Sequence, residues 1–357
     1  MGANDPVATD EQVIFFRDGV TGLRGITVLD PSQPELKVGA CRRRPYDDEE
    51  RALADALRQA RGTAAKAAAA GLPVGGGCTV LLNDPIANSI PARWHALGRA
   101  VDDLKGRYLL MPDPGDTADD MDAVASVTSH VLGTSEDGRH DPAMATALGV
   151  LRGIELAVRQ KMGRESLSGL RVAIMGLGPS GYHLAEQLRL RGAKIVVADR
   201  DPRRTERAVR ELGISCVATE EIVHLDADIF APCSTKDAIN DDTLPHLRCS
   251  IVAGTADDIL SSPAHGRGLH ERGILYLPDF VITAGGLISL VDPLVAVGFD
   301  PDRVKAGIDL VMSDLAGMID RAAREGRPTS ELAEEFAENR LFGTDDRRAM
   351  TDLALAG

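Results

Sequence analysis

Arg171 to Arg200, RVAIMGLGPSGYHLAEQLRLRGAKIVVADR, decides the fold. An apolar run from Val172 to Met175 enters a turn carrying Gly176, Gly178 and Gly181, with Pro179 and Ser180 between the last two. An amphipathic stretch with Leu184 and Leu188 follows, then Gly192 and a second apolar run ending at Asp199. Strand, glycine turn, helix, strand and terminal acid in that order read as a dinucleotide-binding unit. The first glycine makes the tight turn, the second lets backbone N–H groups approach a pyrophosphate, and the third lets helix pack on strand. The helix N-terminus adds partial positive charge. Asp199 is placed to accept hydrogen bonds from the adenosine ribose hydroxyls, which points to NAD. Arg200, Arg203 and Arg204 follow at once and keep NADP open as the alternative, because arginines bind a 2′-phosphate.

A chain of 357 residues is long enough for two domains with separate cores. The formal net charge of -14 argues against nucleic acid or an anionic membrane as partner. No apolar run approaches the ~18 residues of a membrane span, and MGANDPVATDEQ lacks a signal pattern, so a soluble, cytoplasmic protein is expected. The five cysteines (Cys41, Cys78, Cys216, Cys233, Cys249) have no paired spacing, so neither a disulfide framework nor a zinc site is indicated.

Outward from the decisive stretch, residues 1–10 read as disordered, and QVIFFRD and LRGITVLD around GVTG read as a β-hairpin. VGACRRR reads as a further strand, and the stretch from Tyr46 to Ala70 as a long helix with acids in its first turn. GLPVGGGCTVLLNDP brings a glycine run into a buried strand from Cys78 to Leu82, where three adjacent glycines permit unusual backbone angles or close approach by a ligand. RYLLM ends just before Asp113 in a Pro-Gly turn, a place where α/β proteins put ligands. Asp116, Asp119, Asp120 and Asp122 read as the cap and first turns of the next helix rather than a metal site. EDGRHDP is a polar hinge, and a helix from Ala143 to Met162 leads into the nucleotide unit. After Asp199, helices alternate with the short apolar runs of DADIFAPCS, CSIVAGTADDIL and GILYLPDFVITAGGLI, continuing a doubly wound parallel sheet.

Taken together, the EQVIFFRD start, GLPVGGG, Asp113, the NDDTL after APCS and PDFVITAGG resemble the glutamate, leucine, phenylalanine and valine dehydrogenase family, most of all its leucine and valine branch. The resemblance implies an α/β substrate and oligomerisation domain over 1–140, a Rossmann dinucleotide domain over 141–330, and C-terminal helices over 331–357 that return toward the first. It implies an active site in the cleft between the domains, a small-molecule substrate and a homo-oligomer. It places Lys66 on the substrate carboxylate, Asp113 in proton exchange with the amino group, Thr146 near the nicotinamide, and Gly39, Met111 and Thr283 around the substrate. Cys233, Ser234, Thr255, Asp257 and Thr283 fall on its cofactor side. The sequence departs from the family at the residue after the three glycines, a catalytic lysine there and Cys78 here. It departs again where AGTADD brings Asp257 and Asp258 in place of asparagines, where VITAGG brings Thr283, where APCSTK brings Ser234, Thr235 and Lys236, and at Met111, which replaces a small residue.

Three functions are compatible with these residues. The first is an NAD-linked oxidoreductase on a carboxylate-bearing amine, imine or alcohol, with Lys66 as anchor and Asp113 as proton carrier, and with ordinary oxidative deamination impaired. In the second, Cys78 attacks an aldehyde to form a thiohemiacetal, which needs a thiol of lowered pKa beside a cation such as Lys66. The third is a nucleotide-binding protein without turnover. A buried cysteine acting as a small hydrophobe is the plain alternative to any role for Cys78.

Overall fold

The computed structural model describes residues 11–342 except 33, 83–90, 114, 136–140, 235 and 297. The proposed N-terminal disorder, most of the polar hinge and Thr235 lie outside the described residues. The chain divides into two compact units, one of Met1–His140, Pro293–Phe299 and Arg340–Gly357, the other of Asp141–Asp292 and Asp300–Asn339.

In the first unit the hairpin expected from the alternating apolar residues is β1 (Gln12–Arg17) against β2 (Arg24–Leu29), antiparallel. With β3 (Lys37–Arg42), β4 (Gly75–Leu81) and β5 (Tyr108–Met111) they form a mixed five-stranded sheet of order β1-β2-β4-β3-β5. Helix α1 (Glu49–Ala69) begins three residues later than the acidic pattern suggested, because the Asp48 carboxylate caps it by accepting from Arg51 N. It lays Ala52, Ala56 and Ala60 on a patch of Ile26, Val28, Cys78 and Val80. The opposite sheet face packs Cys41, Tyr108 and Leu110 against Trp94 and Leu97 of α2 (Pro91–Asp102) and Met121 and Val124 of α3 (Ala118–Ala125).

The glycine run is itself strand β4, and all three of its glycines are extended rather than left-handed. Protein atoms take the space their side chains would fill. A Cβ on Gly76 would lie 2.0 Å from the Ala60 carbonyl oxygen and 2.4 Å from Ala64 N; one on Gly77 would lie 2.8 Å from the Tyr108 ring. The glycines therefore let α1 and Tyr108 approach β4.

The second unit holds β6 (Arg171–Met175), β7 (Lys194–Ala198), β8 (Ser215–Cys216), β9 (Ile229–Pro232), β10 (Ile251–Val252) and β11 (Leu275–Tyr276), in the order β11-β10-β9-β6-β7-β8. Every pairing is parallel, and the order reverses between β6 and β9, the switch point where doubly wound sheets bind ligands. Helices α4 (Pro142–Met162), α5 (Pro179–Leu190), α6 (Pro202–Leu212) and α7 (Pro263–Glu271) accompany the sheet. Helices α8 (Asp279–Ile282), α9 (Ala284–Val295), α10 (Pro301–Glu325) and α11 (Thr329–Phe342) follow it. No helix among the described residues is long and apolar enough to cross a membrane.

The glycine argument gives a paired prediction. Gly76→Ala forces β4 and α1 apart and costs about 1–3 kcal/mol or more. Gly62→Ala, with nothing within 4 Å of its Cβ, gains up to about 1 kcal/mol of helix propensity. Thermal unfolding of the two variants should move in opposite directions.

Candidate active site

The glycine turn after β6 lies within the second unit. At the end of β6, Gly176 has φ 111°, and a Cβ there would sit 2.3 Å from the Ser234 side chain. A Cβ on Gly181 would sit 2.3 Å from the Gly176 carbonyl oxygen and 3.0 Å from Cys233 Cβ. Gly178 differs: a Cβ there meets nothing within 4 Å, and the residue heads α5 with no side-chain cap. Pro179 at the first helical position has no N–H to offer, so the Ser180 and Gly181 amides face an open approach beside a helix N-terminus. That arrangement fits a pyrophosphate.

Asp199, at the end of β7, keeps its carboxylate buried, with Oδ2 accepting from Leu177 N (2.6 Å) and Oδ1 from Asp201 N (2.8 Å). It thus braces the glycine turn. Arg204 Nη1 lies 3.7 Å from Oδ2, whereas Arg203 pairs with Asp201 and Arg200 is exposed. Cys233 N donates to the Met175 carbonyl (2.8 Å), fixing the Cys233–Ser234 turn beside Gly176. Burial pushes the Cys233 thiol up, against the opposing pull of the Thr255 side chain and backbone beside it.

The VITAGG glycines seat α4. A Cβ on Gly285 would lie 2.2 Å from the Ala145 carbonyl oxygen, and one on Gly286 would lie 2.4 Å from Thr146 Oγ1. Thr146 is thereby packed close against α9, whose first residue follows Thr283 in sequence. The Thr146 hydroxyl donates to Pro142 O (2.9 Å), and the Thr283 hydroxyl donates to Asp279 O (2.7 Å) with Asp257 Oδ1 3.4 Å away. Asp258 adopts φ 54°, and its carbonyl accepts from Asp237 N at 2.7 Å.

Within the first unit, register decides which residues share a face. Ala40 pairs with Met111, and Cys41 with Thr79, so Ala40, Arg42, Met111 and Cys78 project to the α1 side while Gly39, Cys41 and Thr79 project to the other. Gly39 is there for packing. A Cβ on it would lie 2.2 Å from Gly77 O, and its carbonyl accepts from Tyr108 OH at 2.8 Å. Lys66 lies in the last turn of α1, on the flank it shares with Arg58 and Gly62 at one-turn spacing. Arg340 Nη1 donates to the Ala68 and Ala69 carbonyls at 3.3 and 3.0 Å, holding the end of that helix.

Cys78 is only 1% exposed. Its Sγ lies 3.7 Å from Thr79 O, and burial pushes the thiol up to about 12 against the opposing pull of Arg42. Across ordinary working pH it is a neutral thiol. Around it stand Arg42, Asp55 and Arg58, charged residues that the sequence reading did not single out, together with Asp113, which it did. Arg42 Nη1 is 3.4 Å from Asp55 Oδ2, Arg42 Nε is 3.8 Å from Asp113 Oδ1, the Tyr46 hydroxyl donates to Asp55 at 2.7 Å, and Arg58 pairs with Asp55. Although burial works against it, the Tyr46 hydroxyl, Arg42 and Arg58 hold Asp55 below its usual range. Asp113 N donates to Asp116 Oδ2 (2.9 Å), and Asp116 Oδ1 takes Arg43 Nε and Nη2 at 3.0 and 2.7 Å while that guanidinium stacks 4.6 Å over Trp94. Asp116 therefore ties down the Asp113 turn in addition to preceding the Thr117 cap of α3. The signal available was CRRRP itself, where two buried arginines close an apolar strand and require carboxylates.

A glutamate/leucine/phenylalanine/valine dehydrogenase profile matches residues 198–295. Leucine dehydrogenase of Bacillus cereus is 38% identical over 341 residues, covering 95% of this chain and 93% of that protein. This chain belongs to the glutamate/leucine/phenylalanine/valine dehydrogenase family. Leucine dehydrogenase of Geobacillus stearothermophilus is 40% identical over 333 residues, covering 93% and 90% of the two chains. The crystal structure of L-tryptophan dehydrogenase from Nostoc punctiforme superposes with a TM-score of 0.76 at 35% identity, over 92% of this chain and 95% of that one. The protein is thus an oxidoreductase of the amino acid dehydrogenase type, with the family's NAD(P) cofactor class and a small-molecule substrate.

The thiol state is testable. With its pKa pushed up to about 12, Cys78 stays protonated between about pH 6 and 9, so iodoacetamide labels it slowly and with little pH dependence there. Exposed Cys216 should label first, read by mass spectrometry of peptides. Faster labelling of Cys78 than of Cys216 would mean that an ionised, accessible thiol faces solvent.

Proposed function

We propose that the protein is an NAD-dependent oxidoreductase acting on a small carboxylate-bearing amine or imine, or a related carbonyl or alcohol, with ordinary oxidative deamination impaired. The observation that carries this reading is Cys78, a neutral buried thiol on the same sheet face as Arg42 and Met111, where the resemblance puts a catalytic lysine. A neutral thiol carries no ammonium with which to polarise a carbon centre or position a hydrolytic water. Lys66 would hold the substrate carboxylate, and Asp113 would move the proton. The amides at Ser180 and Gly181 would hold the pyrophosphate of NAD, and Asp199 its ribose. When bound, NAD supplies a two-electron acceptor at its nicotinamide. The thiohemiacetal alternative is disfavoured because it needs an ionised thiol. Within this reading the protein acts in the cytoplasm as a homo-oligomer. The second feature is supported by β1, an edge strand whose outer face exposes Val13 and, at 59%, Phe15.

Three measurements test this. Leucine, valine and phenylalanine should be oxidised on the order of a hundred- to ten-thousand-fold more slowly than the usual enzyme turnover of about ten per second. A screen of amines, cyclic imines, oxo acids and alcohols by NADH absorbance should find a better substrate, whose turnover Asp113→Asn lowers by a similar factor. Calorimetric titration should show NAD(H) binding more tightly than NADP(H). The reverse order would assign the ribose site to Arg200, Arg203 and Arg204.

A further inference from the structure

Asp113 follows β5 by two residues, and its Oδ1 lies 3.8 Å from Arg42 Nε on the neighbouring strand. Arg42 is buried, and its Nη1 reaches Asp55 Oδ2 on α1 at 3.4 Å. One guanidinium is thus strung between two carboxylates. Asp55 is held firmly, by Tyr46 OH at 2.7 Å and by Arg58, whereas Asp113 sits on a turn secured through Asp116 and Arg43. Charges so placed are little screened by water or salt. Among the described residues, the charged and titratable groups around Asp113 include Arg42 and Cys41 of β3, Tyr46 before α1, Asp55 and Arg58 of α1, Cys78 of β4, and Asp116 with Arg43. Cys78 adds no charge, and a protonated tyrosine adds none either. Although burial opposes it, the Asp113 and Asp55 carboxylates lift the Arg42 guanidinium above its ordinary value, so it never gives up a proton itself.

We propose that Arg42 is a positioning residue for proton transfer at Asp113: it keeps that carboxylate ionised and aimed until the substrate delivers its proton. The inference rests on the proton-carrying role given to Asp113 above. In the step, the substrate N–H or O–H bond breaks, an O–H bond forms on Asp113, and the electron pair stays on the substrate heteroatom. Arg42 remains a cation throughout. Asp55 sets how much of its charge Asp113 feels.

The test is the pH profile of kcat for the full-length protein on the best substrate of the panel, for wild type, Arg42→Gln, Arg42→Lys and Asp55→Asn. Removing the cation raises the carboxylate's pKa, so Arg42→Gln should move the acid limb up by about 1–3 pH units. Its kcat at neutral pH should fall on the order of a hundredfold, with KM changed less than about threefold. Arg42→Lys should restore most of both. Asp55→Asn removes the competing carboxylate and should move the limb the other way, toward lower pH, a direction that loss of packing does not produce. If Arg42→Gln does not fold, as melting and NAD binding would reveal, the unmoved limb of Arg42→Lys and the lowered limb of Asp55→Asn carry the test. An active wild type whose acid limb is the same in Asp55→Asn, and in any folded Arg42→Gln, overturns the role of Arg42 alone. A wild type inert on the whole panel overturns the proposed function, and this role with it.

Discussion

The packing of the first unit depends on the absence of a Cβ at two consecutive positions of one strand. Gly76 lets the backbone of α1 approach to where a methyl group would be 2.0 Å from a carbonyl oxygen, and Gly77 gives the same room to the Tyr108 ring. That separation keeps Asp55 of α1 within reach of Arg42 on β3, 3.4 Å from its Nη1. Interiors are packed too closely for a shift of an ångström to be absorbed without displacing what lies behind it.

Both units use this device, and each uses it to place polar groups. In the second, Gly285 and Gly286 take the backbone of α4 against α9 and leave room for the Thr146 hydroxyl. Gly178 alone among the fingerprint glycines leaves its space open. The contrast separates glycines that protein fills from one left to a ligand, and it is visible only when neighbouring atoms are known.

The hairpin, the parallel sheet with its glycine turn and the family were legible in the sequence because their signals are local: alternation over QVIFFR, three glycines within six residues, an acid at a strand end. The meaning of GGG was not, since extended glycines spent on helix packing look the same in sequence as glycines kept open for a ligand. Nor was the Arg42, Tyr46, Asp55, Asp113 group. Its members come from a strand, a loop, a helix and a turn up to 71 positions apart, and β3–β5 register and the packing of α1 bring them together. Cys78 was ambiguous for a related reason: its ionisation depends on how completely α1 covers it.

Asp292 shows a different economy. Its buried carboxylate accepts from Asp300 N at 2.8 Å and takes Arg303 Nε and Nη2 at 2.5 and 2.7 Å. The two ends of the excursion that joins the first unit at Pro293–Phe299 are thereby pinned to each other. A segment whose ends are already closed costs little more as it lengthens, about 0.6 kcal/mol for each doubling. Evolution or an engineer could therefore exchange or extend residues 296–299 while α9 and α10 on either side keep their register.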